Sequence, residues 1–567
     1  MATLVMNRFT PNKMIIAGFT AMIALFFLAF LILPLGTVFE HIFIVDPGFA
    51  GTSVWDRLAS YFRQPSLLNS LKNSLSVAIL VTVIIIPIAF FFAYGLTRSC
   101  MPFKRTSRAI SLIPLLAPSL LSAISLIYWF GNQGVALKFW QMLGFDSIYG
   151  MSGIVLAELF AVFPHVLMIL TTTLAIADAR LYEAADTMGT SSFRKFMTIT
   201  LPACKYGLIS AAMVSFTLTI TDFGIPKIVG GNFDVLATDV FRLMIGQQDF
   251  QQGALVALLL LLPAVFSFSI DFMIRKKHSA TLTSKSVVLV PKKSTKFDLA
   301  IGSFCWVICG LMLAMLLMPI YASFVSFWPY NMSLSLINYN SILVESDLAH
   351  TIFNTLTLAT GTAIFGTFAV FMTAWLLEKT DGFPRVKSAL RLLAMLPMAV
   401  PGLVLGIGYI LFFNMAENPL HGLYHTMTIL VVCTIIHFFS TSFISISGSL
   451  KNIDAEFEAV ALSLKTPILR TLRTVTLPIS MPVLVDVARY LFINAMTTIS
   501  AVIFIYSPET ELAAVAILNL DDAGDVGGAT AMAVIITALS VLALIVFAII
   551  EKIVLHRTQG WRSTQSK

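Results

Sequence analysis

Apolar stretches of about 20 residues recur from one end of this 567-residue chain to the other, each long enough to cross a hydrocarbon layer of about 30 Å. Backbone inside lipid has to satisfy its own hydrogen bonds, so stretches of this kind are expected to be helices. Windows with no charge, or with one tolerated polar residue, place spans near 14–39, 71–97, 107–131, 149–177, 203–225 and 253–274. A second set follows near 299–328, 351–377, 388–414, 425–450, 479–507 and 529–550. The expected fold is an all-α integral membrane protein with about twelve transmembrane helices in two six-helix halves. Composition agrees, because only 11% of residues are charged and mean hydropathy is +0.89, whereas a soluble chain carries about 25% charged residues.

Lysine and arginine collect on the cytoplasmic side of a membrane protein. With the N-terminus inside, the alternate connecting segments hold 29 of the 36 basic residues, which predicts an even number of spans and both termini cytoplasmic. The net charge of +7 is then a topology signal and calls for no nucleic acid. The first apolar run follows Arg8 and Lys13 as a signal peptide would, but it exceeds the 7 to 15 apolar residues of such peptides and is expected to stay as a span. Residues 275–298 are basic and polar and read as a cytosolic linker between a first half, 1–274, and a second, 299–567. The five cysteines show neither a CxxC pair nor flanking histidines at zinc spacing, so they read as packing residues.

The halves are related by an internal repeat. Asn73-Ser74-Leu75 returns as Asn354-Thr355-Leu356, Pro114 and Pro118 return as Pro397 and Pro401, and 178–202 aligns without a gap on 454–478. Three matches in order indicate duplication. Halves with an even number of spans enter the membrane in the same orientation, which allows a pathway between them.

The loop 178–202 is too polar to cross lipid yet carries apolar residues at helical spacing. Met188, Phe193, Phe196 and Ile199 are expected to pack toward the membrane part, leaving Glu183 and Asp186 to water or a partner. Glu183-Ala184-Ala185, then Gly189, then Ile199-x-Leu201-Pro202, ahead of the penultimate span of the half, resembles the cytoplasmic coupling loop of binding-protein-dependent ABC importer permeases. In the second copy Glu183 falls on Ala459 with Glu458 one residue earlier, Gly189 falls on Lys465, Pro467 is new, and Leu477-Pro478 is kept.

The resemblance covers nearly the whole chain and implies a fused pair of permease domains. It implies that each loop docks in a groove of one of two copies of a cytosolic ATP-binding subunit, whose closure alternates access across a bacterial inner membrane. It also implies a separate periplasmic or extracellular binding protein. No GxxxxGK[ST] stretch occurs, so ATP and Mg are expected on the partner and no cofactor on this chain. Neither outer segment, 40–70 or 329–350, has the size of a substrate-capture domain. No catalytic pattern stands out, and the chain is not expected to be an enzyme.

Pro118 and Pro401 interrupt corresponding spans and are candidates to line a pathway, although a kink relieved by packing is the plainer reading. Asp222 ends the fifth span, either as a pathway acid or as a solvated boundary residue. Asp486 and Arg489, three apart, are expected to pair. A secondary transporter of twelve spans is the main rival, but it should show several deep carboxylates. As to cargo, residues 221–250 look like permeases assigned to 2-aminoethylphosphonate import. Ferric iron is the nearest alternative, with polyamine or thiosulfate further off.

Overall fold

The computed structural model describes residues 11–43, 55–56, 59, 62–175, 178–279, 289–345, 348–454 and 456–558. About half of the segment 40–70, expected on the outer side, and residues 280–288 of the expected linker, lie outside the described residues. Among those described, nine helices are long and apolar enough to cross a membrane, and three bent pairs bring the number to twelve. Spans 1 to 6 are Asn12–Phe43, Pro65–Arg98, Lys104–Leu116 with Ser119–Phe130, Met151–Ala175, Ser192–Thr221 and Phe250–Ile274. Spans 7 to 12 are Thr295–Ser323, Leu348–Lys379, Pro384–Ala399 with Gly402–Phe413, Met427–His437 with Phe439–Lys451, Ile468–Thr497 and Val526–Arg557.

Several boundaries differ from those read in the sequence. Spans 5 and 11 begin about eleven residues early, because the helix runs unbroken through Pro202 and Pro478. Proline inside a helix lacks an N–H and crowds the carbonyl four residues back. Here a π-helical turn precedes each one: Phe196–Thr200 closes with Leu201 N–H donating to the Phe196 carbonyl, and Leu472–Thr476 with Leu477 N–H donating to Leu472. The wider turn makes room for the ring. Span 11 stops at Thr497, and the apolar residues after it, 499–505, form buried turns. Their hydropathy reflects burial in protein: a Cβ on Gly406 would lie 2.8 Å from the Ala501 carbonyl oxygen. Span 7 stops at Ser323, after which Val325–Phe327 pairs antiparallel with Asn331–Leu334.

The chain forms two compact units that do not follow the order of the repeat. One comprises Met1–Glu40, His350–Leu512 and Ala538–Lys567, and the other His41–Ala349 and Ala513–Thr537. Span 1 therefore belongs with the core of the second half, and span 7 with the core of the first. In the first of these units, Tyr409 Oη donates to the Phe30 carbonyl at 2.7 Å, Phe27 meets Phe439 edge-on at 5.0 Å, and Phe30 stacks on Phe413. Gly408 is required there, since a Cβ would lie 2.5 Å from the Pro34 carbonyl oxygen. In the other unit, Trp129 Nε1 donates to the Ala314 carbonyl at 3.2 Å, and Cys305 and Cys309 are fully buried, Cys305 against Gly95.

The Asn repeat ties each second helix to the segment that follows the penultimate span. Asn73 Nδ2 donates to the Asp234 carbonyl at 2.9 Å, and Ser74 Oγ accepts from Leu236 N–H at 2.8 Å. Asn354 Nδ2 donates to the Glu509 and Glu511 carbonyls at 2.9 and 3.0 Å.

Candidate coupling surface and the broken spans

Each loop ahead of a penultimate span folds as two short helices around a sharp turn. In the first, Asp178 caps Ala179–Thr187 by accepting from Arg180 N–H, and Ser191 caps Ser192–Lys195 by accepting from Arg194 N–H. Between them Gly189 takes φ +68°, with Gly189 N–H donating to Asp186 and Thr190 N–H to the Ala185 carbonyl. In the second loop, Lys465 takes φ +52° and Pro467 caps the following helix. The substitutions that set the two copies apart in sequence thus leave the turn intact.

The apolar residues do not all face inward. Phe196 packs on Phe90 and Tyr94, and Ile199 is half-buried. Met188 and Phe193, expected to pack toward the membrane part, are instead 75% and 71% exposed, with Leu181 at 56%. Their counterparts 276 residues on, Leu464, Leu469 and Phe457, are 73%, 42% and 48% exposed. Both loops present the same outward apolar triplet. Glu183 and Ala184 are exposed beside it, whereas Ala185 is buried. Leu201 and Pro202 lie inside the span 5 helix rather than at the loop's tip. Leu477 lines an apolar cavity of about 660 Å³ with Phe371 and Phe492.

A cation anchors each loop to the preceding spans. Arg98 donates to the Leu174 carbonyl at 2.8 Å and lies 5.2 Å from the centre of the Tyr182 ring. Lys379 donates to the Ile453 carbonyl at 2.9 Å and pairs with Glu458 at 3.1 Å. Glu458, which aligns with Tyr182, therefore serves as an internal anchor and not as a displaced copy of Glu183. Ala459, next to it, is exposed. Asp186 binds Lys195 at 2.5 Å and Lys292 at 3.1 Å; these two ammonium groups hold its carboxyl below the usual range.

Spans 3 and 9 are broken far beyond a kink, by 103° and 110°. Ala117 N–H donates to the Pro114 carbonyl and Val400 N–H to Pro397, so a short 3₁₀ turn ends each first limb before Pro118 or Pro401 opens the second. The segment after the penultimate span fills each break. A Cβ on Gly224 would lie 2.9 Å from Leu120 Cδ2 and 3.0 Å from Ser119 Oγ, and one on Gly402 would lie 2.4 Å from Ser500 Oγ and 3.1 Å from His437 Cε1. Asp222 stands at the end of span 5, where its Oδ2 accepts from Ile225 N–H at 2.8 Å in the first turn of the next helix, Gly224–Val229, and its carboxylate also interacts with the Ser119 hydroxyl. Asp222 is half-buried and within electrostatic reach of Glu158, which is 1% exposed in span 4. The sequence singled out Asp222 but gave no means of pairing it with an acid 64 positions away. Asp486 pairs with Arg489 at 2.6 Å, and Arg489 also reaches Glu551 at 3.1 Å.

Two like halves of membrane helices, each with an exposed helical loop rigidly joined to its penultimate span, define a duplicated transport permease. The chain belongs to the family of binding-protein-dependent transport system inner membrane components, whose model matches residues 85–276 and again 366–556. It is 26% identical over 555 residues to the ferric transport system permease protein FbpB of Actinobacillus pleuropneumoniae, covering 95% of this chain and 78% of that one. It is 28% identical over 513 residues to a putative ferric transport system permease protein, FbpB 1, of Haemophilus influenzae, covering 88% and 79%. Over 166 residues, 29% of this chain and 74% of the relative, it is 27% identical to the molybdenum transport system permease protein ModB of Azotobacter vinelandii.

Proposed function

We propose that this chain is the permease subunit of an ATP-driven importer and moves a small solute delivered by a separate binding protein. The observation that carries the reading is the double family match, one to each half. Under it, the two outward apolar triplets are the seats of two copies of a cytosolic ATP-binding subunit, with Glu183 and Ala184 beside the first seat and Ala459 beside the second. ATP and Mg are bound and hydrolysed on those subunits.

Each seat leads into a stiff lever. Span 5, a continuous helix of 30 residues, is about 45 Å long at the α-helical rise and ends at Asp222 beside the Pro118 break. Span 11 ends at Thr497, and the turns that follow pack on the Pro401–Gly402 break. Displacement of a loop by closing ATPase subunits is thereby delivered to the broken spans, which makes Pro118, Asp222 and Pro401 the candidates for an alternating-access pathway.

Ferric iron is the cargo best supported, because the two relatives matched over 95% and 88% of this chain are named as ferric transport permeases. 2-Aminoethylphosphonate, placed first by the resemblance of residues 221–250, becomes the second reading and rests on that stretch alone. Uptake of radioactive ferric iron and of labelled 2-aminoethylphosphonate tests both, in cells carrying this chain with its binding protein and either an active or a dead ATPase. ATPase-dependent iron uptake is expected. Phosphonate uptake would exchange the cargo, and uptake indifferent to the ATPase would make the chain an ion-coupled transporter.

A further inference from the structure

We infer that residues 291–298, at the end of the segment joining the two halves, are a brace for the first coupling loop, with Asp186 as the positioning residue on which loop and brace meet. The brace is a property of this chain alone, whereas its part in coupling rests on the importer reading above. The sequence marks the segment as a tether, and a tether needs slack where the parts it joins move apart. The parts joined here are spans 6 and 7, and both fall within His41–Ala349 of one compact unit. The segment is therefore free to serve as structure.

Its course is set by printed contacts along its whole length. Asp298, 7% exposed at the head of span 7, accepts from Cys100 N–H at 2.7 Å and from Ser294 N–H at 2.9 Å, which fastens the segment's end to the connection between spans 2 and 3. The Cys100 thiol donates to the Pro291 carbonyl at 3.4 Å. Phe297 meets Tyr94 edge-on at 6.0 Å, and the same tyrosine ring meets Phe196 of the loop at 5.9 Å. From this course Lys292 Nζ reaches Asp186 Oδ2 at 3.1 Å. Asp186 also binds Lys195 at 2.5 Å, so one carboxylate joins the loop's first helix, its second helix and the brace.

Lys292 is 86% exposed, and an ion pair so exposed holds little by itself, largely because two free side chains have to be ordered to make it. Here the backbone on both sides of Lys292 is already held, at Pro291 by Cys100 and at Ser294 by Asp298, so less ordering remains to oppose the pair. The second loop carries neither half of the internal pair: 276 residues on, Leu462 and Thr471 stand for Asp186 and Lys195. Both loops form the two-helix turn, and only one has the acid and its two cations. These charges are therefore not needed to build the turn. They stiffen one lever, the one that leads by span 5 to the Pro118 break.

Hydrogen exchange of the full-length chain in nanodiscs, read by mass spectrometry over 179–195, tests the brace, with 456–471 as the internal reference. Lys292→Ala is expected to raise exchange in the first loop about threefold and Asp298→Ala about tenfold, with the second loop unchanged. A first loop unmoved by Lys292→Ala, or loosened no more than the second, overturns the brace; Lys292 is exposed, so folding is not expected to suffer in that variant. Coupling is read in the complete importer as ATP hydrolysed per labelled solute imported, ferric iron or 2-aminoethylphosphonate, whichever the wild type carries. Lys292→Ala should raise that ratio about twofold and Lys292→Arg, which keeps the pair, should leave it at the wild-type value. An unchanged ratio in Lys292→Ala removes the brace from coupling. Cys100 is exposed and the other four cysteines are buried, so Pro291→Cys can be joined to it by a short bis-methanethiosulfonate. Uptake is expected to persist in the joined form. Uptake lost on joining and regained on reduction would make this a contact that has to open, and overturns the brace. Wild-type uptake indifferent to a dead ATPase removes the importer reading, and the exchange result then decides the brace by itself.

Discussion

At position 189 the chain turns through the left-handed region with a glycine, and at position 465 it makes the same turn with a lysine. A side chain in that region costs about 1 kcal/mol relative to glycine. Lys465→Gly is therefore expected to raise the stability of the second loop by about that amount, read as slower proteolysis of the loop in the purified protein. Gly189→Val introduces the same strain with a β-branched residue, at about 1–2 kcal/mol. Nothing lies within 4 Å of a Cβ at 189, so crowding adds no further cost. ATP-dependent uptake should fall while membrane insertion is unchanged; full uptake would remove the turn from the coupling path. The sequence could suggest the turn at Gly189 but not at Lys465, because a preference of about 1 kcal/mol is overruled by its surroundings and leaves no trace in residue type.

Each loop was visible in the sequence as a helical element, but neither its division into two short helices nor the direction in which it faces was. Periodicity finds an apolar stripe without telling a face that packs on its own protein from a face kept for another. Phe196 took the first role, and Met188 and Phe193 the second. Phe193→Asp and Leu469→Asp, at matching positions of the two loops, are each expected to cost about 2 kcal/mol of ATPase binding, roughly 30-fold in affinity, without loss of the folded permease. Surface-plasmon binding of the purified ATPase to permease in nanodiscs measures this. An effect at Phe193 alone would make the second loop a passive copy. The proline breaks were legible as interruptions, and their depth was not: a proline removes a hydrogen bond, but a bend above 100° needs a neighbour to fill the gap, and that neighbour lies some 100 residues away in sequence.

For the molecule as a whole, hydropathy counted the spans and the repeat matched the halves. Neither could assign spans to compact units, since the identity of a helix's neighbours is not written in its composition. Span 1 shows this best. Its partners are Tyr409, Phe413 and Phe439, so removing residues 1–43 is expected to strip the unit built on the second half of a packed helix and of the Tyr409 hydrogen bond. The shortened chain should lose its monodisperse gel-filtration peak and regain it when residues 1–43 are supplied as a separate peptide chain. Recovery without that peptide would show the contact to be dispensable. The same arrangement has a consequence in time. A ribosome adding about 5–20 residues per second finishes span 1 on the order of half a minute before the residues that flank it, near 409–439, are made. Through that interval the newborn helix has lipid or the insertion machinery for company, and its apolar face stays open to wrong pairings. Joining both halves in one polypeptide keeps the late partner on the same tether, so the wait ends in an encounter within one molecule rather than a search through the membrane.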